Sequence, residues 1–118
     1  MFTLTVSSSF SSAHMLRKYK GKCANLHGHN WNVELLLEQN KLDKIGMIRD
    51  AGEVKIILGD FLKQLDHRYL NDLNFFKKNN PTSENIAKFI YLGLKRSLPV
   101  LKKVSVMESA TVAVSYER

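Results

Sequence analysis

Two stretches of two-residue alternation near the N-terminus do most to limit what this chain can fold into. Phe2, Leu4, Val6 and Phe10 occupy even positions, with Thr3, Thr5, Ser7 and Ser9 between them. Trp31, Val33, Leu35 and Leu37 repeat the pattern over residues 31–38. Alternation of this kind puts one side of an extended chain in a core and leaves the other in water, so both segments are predicted to be half-buried strands. Residues 103–108, with Val104 and Val106, and 111–116, with Val112, Val114 and Tyr116, read as two closing strands.

Between the two pairs the period becomes helical. Asp50, three residues before Glu53, is an N-cap in a box-like arrangement. Val54, Ile57, Leu58, Phe61 and Leu65 then form one buried stripe. Residues 40–44 read as a turn, and Met47-Ile48-Arg49 as a short extra strand. A polar loop rich in Asn and Lys leads to Pro81-Thr82-Ser83-Glu84, a second helix start. Ile86, Phe89, Ile90 and Leu94 supply its stripe, and Pro99 stops it. The order ββααββ defines an α+β domain with antiparallel strands. A sheet this small has two free edges, which invite closure by other subunits.

At 118 residues the chain is expected to form one domain, 1–118, with a real hydrophobic core. No apolar run is long enough for a membrane span. The N-terminus alternates and lacks a basic leader followed by an apolar block, so a secretory signal is not expected. Cys23 is the single cysteine, which excludes an intramolecular disulfide and suits a reducing cytoplasm. The formal charge is +7, from 18 Lys and Arg against 11 Asp and Glu. Such an excess attracts nucleic acid, an anionic membrane or a small polyanionic substrate alike. The cations are scattered, with mild density at Arg17-Lys18-Tyr19-Lys20-Gly21-Lys22, and no aromatic–basic RNA-binding signature occurs.

The sharpest chemical constellation is His14 with His27-Gly28-His29. Residues two apart in an extended segment point to the same side, so His27 and His29 can aim at one ion while Gly28 keeps the space between them clear. His14, after the first strand, supplies a third nitrogen. Three imidazoles leave one position of a tetrahedral Zn²⁺ open, the arrangement of a catalytic site. The bland alternative is ordinary hydrogen-bonded histidines; His-Gly-His with a Cys nearby and another His upstream favours the metal.

Three further sites carry more than one reading each. Cys23, four residues before His27 in a Lys-rich loop, is a general base or nucleophile, a fourth ligand, or a buried filler. Asp66-His67 is a proton-passing pair, or His67 merely sits at a helix C-terminus. Glu108 shares the parity of Val104 and Val106, where a carboxylate must be paired, as with the two parallel N–H groups of a 2-aminopyrimidinone edge. Otherwise it lies in an exposed hairpin turn.

Ser11-Ser12-Ala13-His14, Cys23-Ala24-Asn25-Leu26-His27-Gly28-His29, Leu65-Asp66-His67-Arg68-Tyr69-Leu70-Asn71, Asn80-Pro81-Thr82-Ser83-Glu84-Asn85 and Val104-Ser105-Val106-Met107-Glu108 resemble, in order, the signatures of the 6-pyruvoyl-/6-carboxytetrahydropterin synthases. The four histidines and the single cysteine all fall on motif positions. The resemblance implies Zn²⁺ at His14, His27 and His29, Cys23 as proton acceptor, Asp66 and His67 as proton relay, and Glu108 as pterin anchor. Thr82 and Ser83 match a loop that helps hold the pterin ring. It also implies the tunnelling fold, in which four-stranded sheets, each with two helices on one face, join into a barrel. Trimeric rings then stack into a homohexamer with active sites between subunits.

The implied substrate is 7,8-dihydroneopterin triphosphate, with no nucleic-acid or membrane partner. One family activity eliminates triphosphate to give 6-pyruvoyltetrahydropterin. The other also loses acetaldehyde, giving 6-carboxytetrahydropterin on the route to queuosine-type 7-deazaguanines. The short Cys23-to-His27 spacing resembles the 6-carboxy branch, and the cysteine itself argues against the branch that carries Glu there. Ala51 departs from the family, which usually has an aromatic after the Asp. Lys18, Lys20, Lys22 and Arg49 are candidates for the triphosphate. A non-catalytic zinc or nucleic-acid binding module ranks below the enzyme, because it leaves Cys23, Asp66-His67 and Glu108 unexplained.

Overall fold

The computed structural model describes residues 1–118. The alternating segments become β1 (Phe2–His14), β2 (His27–Gln39), β3 (Leu101–Ser109) and β4 (Val112–Glu117). They form one antiparallel sheet in chain order. β1 and β2 outrun their apolar alternation, because the added residues, Ser11 to His14 and His27 to Asn30, include no large apolar side chain. Their pairing nevertheless runs unbroken from Phe2↔Gln39 to His14↔His27.

Three helices lie between β2 and β3: α1 (Ala51–Leu62), α2 (Asn74–Lys78) and α3 (Ser83–Leu94). Asp50 caps α1, its Oδ1 accepting from the N–H groups of Gly52 (2.8 Å) and Glu53 (3.3 Å). The reciprocal arm of the box is missing, since Glu53 instead pairs with Arg49 at 2.8 Å. α1 buries Val54, Leu58 and Leu62; Leu65 is buried in the turn that follows, and Ile57 and Phe61 sit on the rim. Thr82 caps α3, its hydroxyl accepting from Asn85 N–H at 3.1 Å. Ile86, Ile90 and Leu94 are buried as expected, joined by Ala87 and Tyr91. α1 and α3 approach so closely at Gly93 that a β-carbon there would overlap the Phe61 ring.

Two expectations are corrected. Residues 47–49 form no strand: the Asp43 carboxylate accepts from Ile45 N–H (3.0 Å) and Met47 N–H (2.9 Å), closing a tight loop. The polar loop contains α2, which turns Phe76 fully into the core.

The helices cover one sheet face, and a single cluster of 21 buried apolar residues lies between the layers. The opposite face, with Thr3, Thr5, Ser7, Ser9, Asn32 and Glu34, is uncovered. The outer edges of β1 and β4 have no strand partner. Only the C-terminal end of β1 is met, by residues 66–69, through an Ala13 N–H to Arg68 carbonyl bond of 2.9 Å and a parallel bridge to Tyr69. No helix is long and apolar enough to cross a membrane.

Candidate active site

The β1–β2 register builds a histidine cluster. His14 is the direct cross-strand partner of His27, and Ser12 that of His29, so all three rings emerge on the helix-covered face at the end of the ladder. The ring centroids lie 4.5, 4.7 and 5.2 Å apart. One nitrogen from each falls within 4.8 Å of the others. Trp31 forms the floor, edge-on to His14 (4.9 Å) and His29 (5.0 Å) and stacked on Phe10 at 5.1 Å.

The hydrogen bonds assign the tautomers. His14 Nδ1 lies 2.7 Å from the Pro81 carbonyl, and His27 Nδ1 lies 2.7 Å from that of Asn25. A carbonyl only accepts, so both Nδ1 atoms carry the proton and both Nε2 atoms present lone pairs. Those Nε2 atoms face each other at 2.8 Å, and the buried His29 Nε2 has no hydrogen-bond partner. Two inward lone pairs and a third ring nitrogen without a hydrogen bond fit a shared cation, with the carbonyls orienting His14 and His27. Burial pushes the pKa of His14 below the ordinary histidine value, and His27 and His29 act the same way against the opposing Pro81 carbonyl and Glu108. The ring therefore stays neutral, the form that ligates.

Beside the cluster runs a groove of about 480 Å³ whose wall includes Cys23, Thr82, Ser83 and Glu108. Cys23 sits on a short 3-10 turn (Lys22–Ala24), tethered by Leu16 N–H to its carbonyl at 2.9 Å. Glu108 is not in a hairpin turn. It lies within β3 at a bulge between Met107 and Ser109, a distortion that re-aims a side chain. Its Oε1 accepts from the buried Ser83 hydroxyl at 2.7 Å, and its Oε2 lies 4.0 Å from His29 Nε2. Thr82 faces the groove while its hydroxyl oxygen serves as the helix cap.

Asp66 and His67 are placed elsewhere. α1 ends at Leu62, so His67 is not at a helix C-terminus. Asp66 accepts from Ser11 N–H at 2.8 Å and pairs with His67 Nδ1 at 2.9 Å, while His67 N–H donates to Ser11 carbonyl at 2.6 Å. His67 adopts left-handed backbone (φ 54°), and its ring is 83% exposed. The Ser11 N–H, then the His67 ring, hold the Asp66 carboxyl below the usual Asp range. His67 borders a second cavity of about 530 Å³, whose wall includes Gly28 and His29 but not Cys23. Within one chain, the structure clusters His14, His27 and His29, sets Cys23, Thr82, Ser83 and Glu108 along one groove, and places His67 on a different cavity from Cys23.

Of the four cations named from sequence, Lys18 alone lines the groove. Arg49 is bound to Glu53 and to the Ser97 carbonyl, and with Ala51 lines a separate apolar cavity. The missing aromatic at 51 therefore does not touch the groove of its own chain. Sequence reasoning overlooked the carbonyls of Asn25 and Pro81, which no side-chain pattern reveals. It also overlooked Arg17 and Asn80, whose groove positions depend on the folding of residues 15–26.

Fold and site together define a small α+β protein with a cluster of three histidines that could hold a metal ion, beside a groove of mixed polar and apolar lining. The sequence model described as 6-pyruvoyl tetrahydropterin synthase matches residues 3–118, and the chain belongs to this family. It is 35% identical to a Synechocystis protein named 6-carboxy-5,6,7,8-tetrahydropterin synthase, over 98% of this chain and 93% of the relative. It is 33% identical to a dihydroneopterin monophosphate aldolase of Pyrococcus furiosus, over 93% and 92%. Its structure is similar to that of the Caenorhabditis elegans 6-pyruvoyl tetrahydropterin synthase, with TM-score 0.88 and 33% identity over 99% of this chain and 95% of that one.

Proposed function

We propose that residues 1–118 act as one zinc-dependent 6-carboxy-5,6,7,8-tetrahydropterin synthase domain. The reaction takes 7,8-dihydroneopterin triphosphate and water to 6-carboxytetrahydropterin, acetaldehyde and triphosphate. The observation that carries this is the shared wall: Cys23 and Glu108 line one groove, and the Glu108 carboxylate lies 4.0 Å from the ligating face of His29. Cys23 and Glu108 thus share one ligand-sized space, and Glu108 connects it to the histidine cluster next to it. The 35% identical relative of that name supports this branch.

Bound at His14, His27 and His29, Zn²⁺ supplies Lewis-acid polarisation of the substrate's side-chain oxygens. The chain's own residues do the rest. Glu108, steadied by Ser83, accepts the parallel N–H groups of the pterin edge and fixes the ring. Cys23 removes a proton from the substrate side chain in the groove it lines. Asp66 orients His67, which returns or relays the proton. Because His67 lines a different cavity from Cys23 of its own chain, the relay is completed by a neighbouring subunit in a homo-oligomer of barrel type, a hexamer of two trimers. A free Cys23 suits work in a reducing cytoplasm.

Product analysis after incubation with 7,8-dihydroneopterin triphosphate tests the proposal. Released acetaldehyde with a 6-carboxy product is expected. A persistent pyruvoyl side chain would reject this branch, and unconsumed substrate would reject the enzyme.

A further inference from the structure

The groove with Cys23 and Glu108 does not end at Lys18. Arg17, Lys18 and Asn80 also line an adjoining recess of about 250 Å³, completed by Lys78, whose wall has no hydrophobic residue. Three cations gather here, and none takes part in an ion pair of the chain. The arrangement is built rather than incidental. Arg17 Nη2 donates to the Phe76 carbonyl at 2.7 Å, which fixes the guanidinium and leaves its other N–H groups available. Asn80 clamps the Arg17 main chain from both sides, accepting its N–H at 2.9 Å and donating to its carbonyl at 3.1 Å. Lys18 is held in left-handed backbone (φ 60°), a conformation a non-glycine residue adopts only under constraint. Like charges held together without a counter-ion repel, and an anion relieves that repulsion.

We propose that Arg17, Lys18 and Lys78 form the subsite for the phosphate tail of the substrate. This rests on the pterin reading above, and it names a residue, Lys78, that no pattern in the sequence marked. With the pterin edge on Glu108, the tail leaves the groove past Cys23 into the cationic recess. The arrangement orients the substrate along one line and presents its reacting carbons between base and metal ligands.

Calorimetric titration of the zinc-loaded protein with inorganic triphosphate, and separately with unphosphorylated 7,8-dihydroneopterin, tests the subsite. The Lys18→Ala/Lys78→Ala variant is expected to lose about tenfold or more in triphosphate affinity, with a weaker salt dependence. Its affinity for unphosphorylated dihydroneopterin should be unchanged, and exposed Lys77→Ala should leave both titrations unchanged. Triphosphate affinity that survives the double substitution, or is absent from the starting protein, overturns the subsite. Equal loss for both ligands overturns it as well, since that reports a disturbed fold. If triphosphate binding falls as expected but no dihydroneopterin binds the parent, the anion subsite stands and the pterin reading fails.

Discussion

The Ser83 hydroxyl donates to Glu108 Oε1 at 2.7 Å, tying the first turn of α3 to the bulge of β3. That bond fixes the direction of a carboxylate which otherwise has a water-facing rotamer available. Glu108→Ala is expected to weaken binding of a pterin such as dihydroneopterin roughly a hundredfold. Ser83→Ala, which leaves the charge but frees it, should cost about three- to tenfold. Equilibrium titration followed by pterin fluorescence checks both, and an unchanged Kd in Glu108→Ala removes it as the anchor.

Cys23 faces the groove but is not among the clustered histidine ligands. Cys23→Ala should therefore abolish turnover while metal content stays near about one ion per chain. Turnover at the parent rate would strip Cys23 of its role as base; a large loss of metal would make it a ligand.

Much of this was legible beforehand, for identifiable reasons. The strands showed because Phe2 to Phe10 and Trp31 to Leu37 alternate on a one-sided sheet. Parity also placed His27 and His29 together. The cross-strand contact of His14 with His27 was not legible, because pairing register depends on where the 15–26 connection closes. Leu62 was missed because the α1 stripe drifts around the helix, so Leu62 rather than Phe61 faces the core. α2 was missed because Asn and Lys around Phe75 and Phe76 gave the segment the composition of a loop. The separation of Asp66-His67 from Cys23 is a property of topology, invisible to motif order.

The Asp66 carboxyl is held below the ordinary value of 3.8, first by the Ser11 N–H and then by His67. Sign follows directly: a depressed folded pKa gives stability that is present above the unfolded value and is lost as pH falls through the folded one. Asp66 should thus remain ionised at pH values where an ordinary Asp is half protonated. Carbon-detected NMR titration of the carboxyl checks this. His67→Ala should raise the Asp66 pKa only part of the way, because the larger cause, a main-chain donor, remains. A full return to 3.8 in that variant would contradict the ordering of causes.

Trp31 is fully buried beneath the histidines, stacked on Phe10. Trp31→Ala should cost about 3–5 kcal/mol of stability by leaving a cavity, read as a lowered denaturant midpoint. Loss of zinc affinity should accompany it, since His14 and His29 both rest edge-on against the indole. Zinc affinity equal to that of the parent would show that the floor does not position the ligands.

The proposed metal centre requires the three clustered ring nitrogens of His14, His27 and His29 to share one cation. X-ray absorption at the zinc edge, on protein purified with zinc and dialysed, reads that shell directly. It should show about three imidazole nitrogens and no sulfur, with the signal lost in His29→Ala. A metal-free protein, a sulfur in the shell, or an unaltered spectrum in His29→Ala would contradict it.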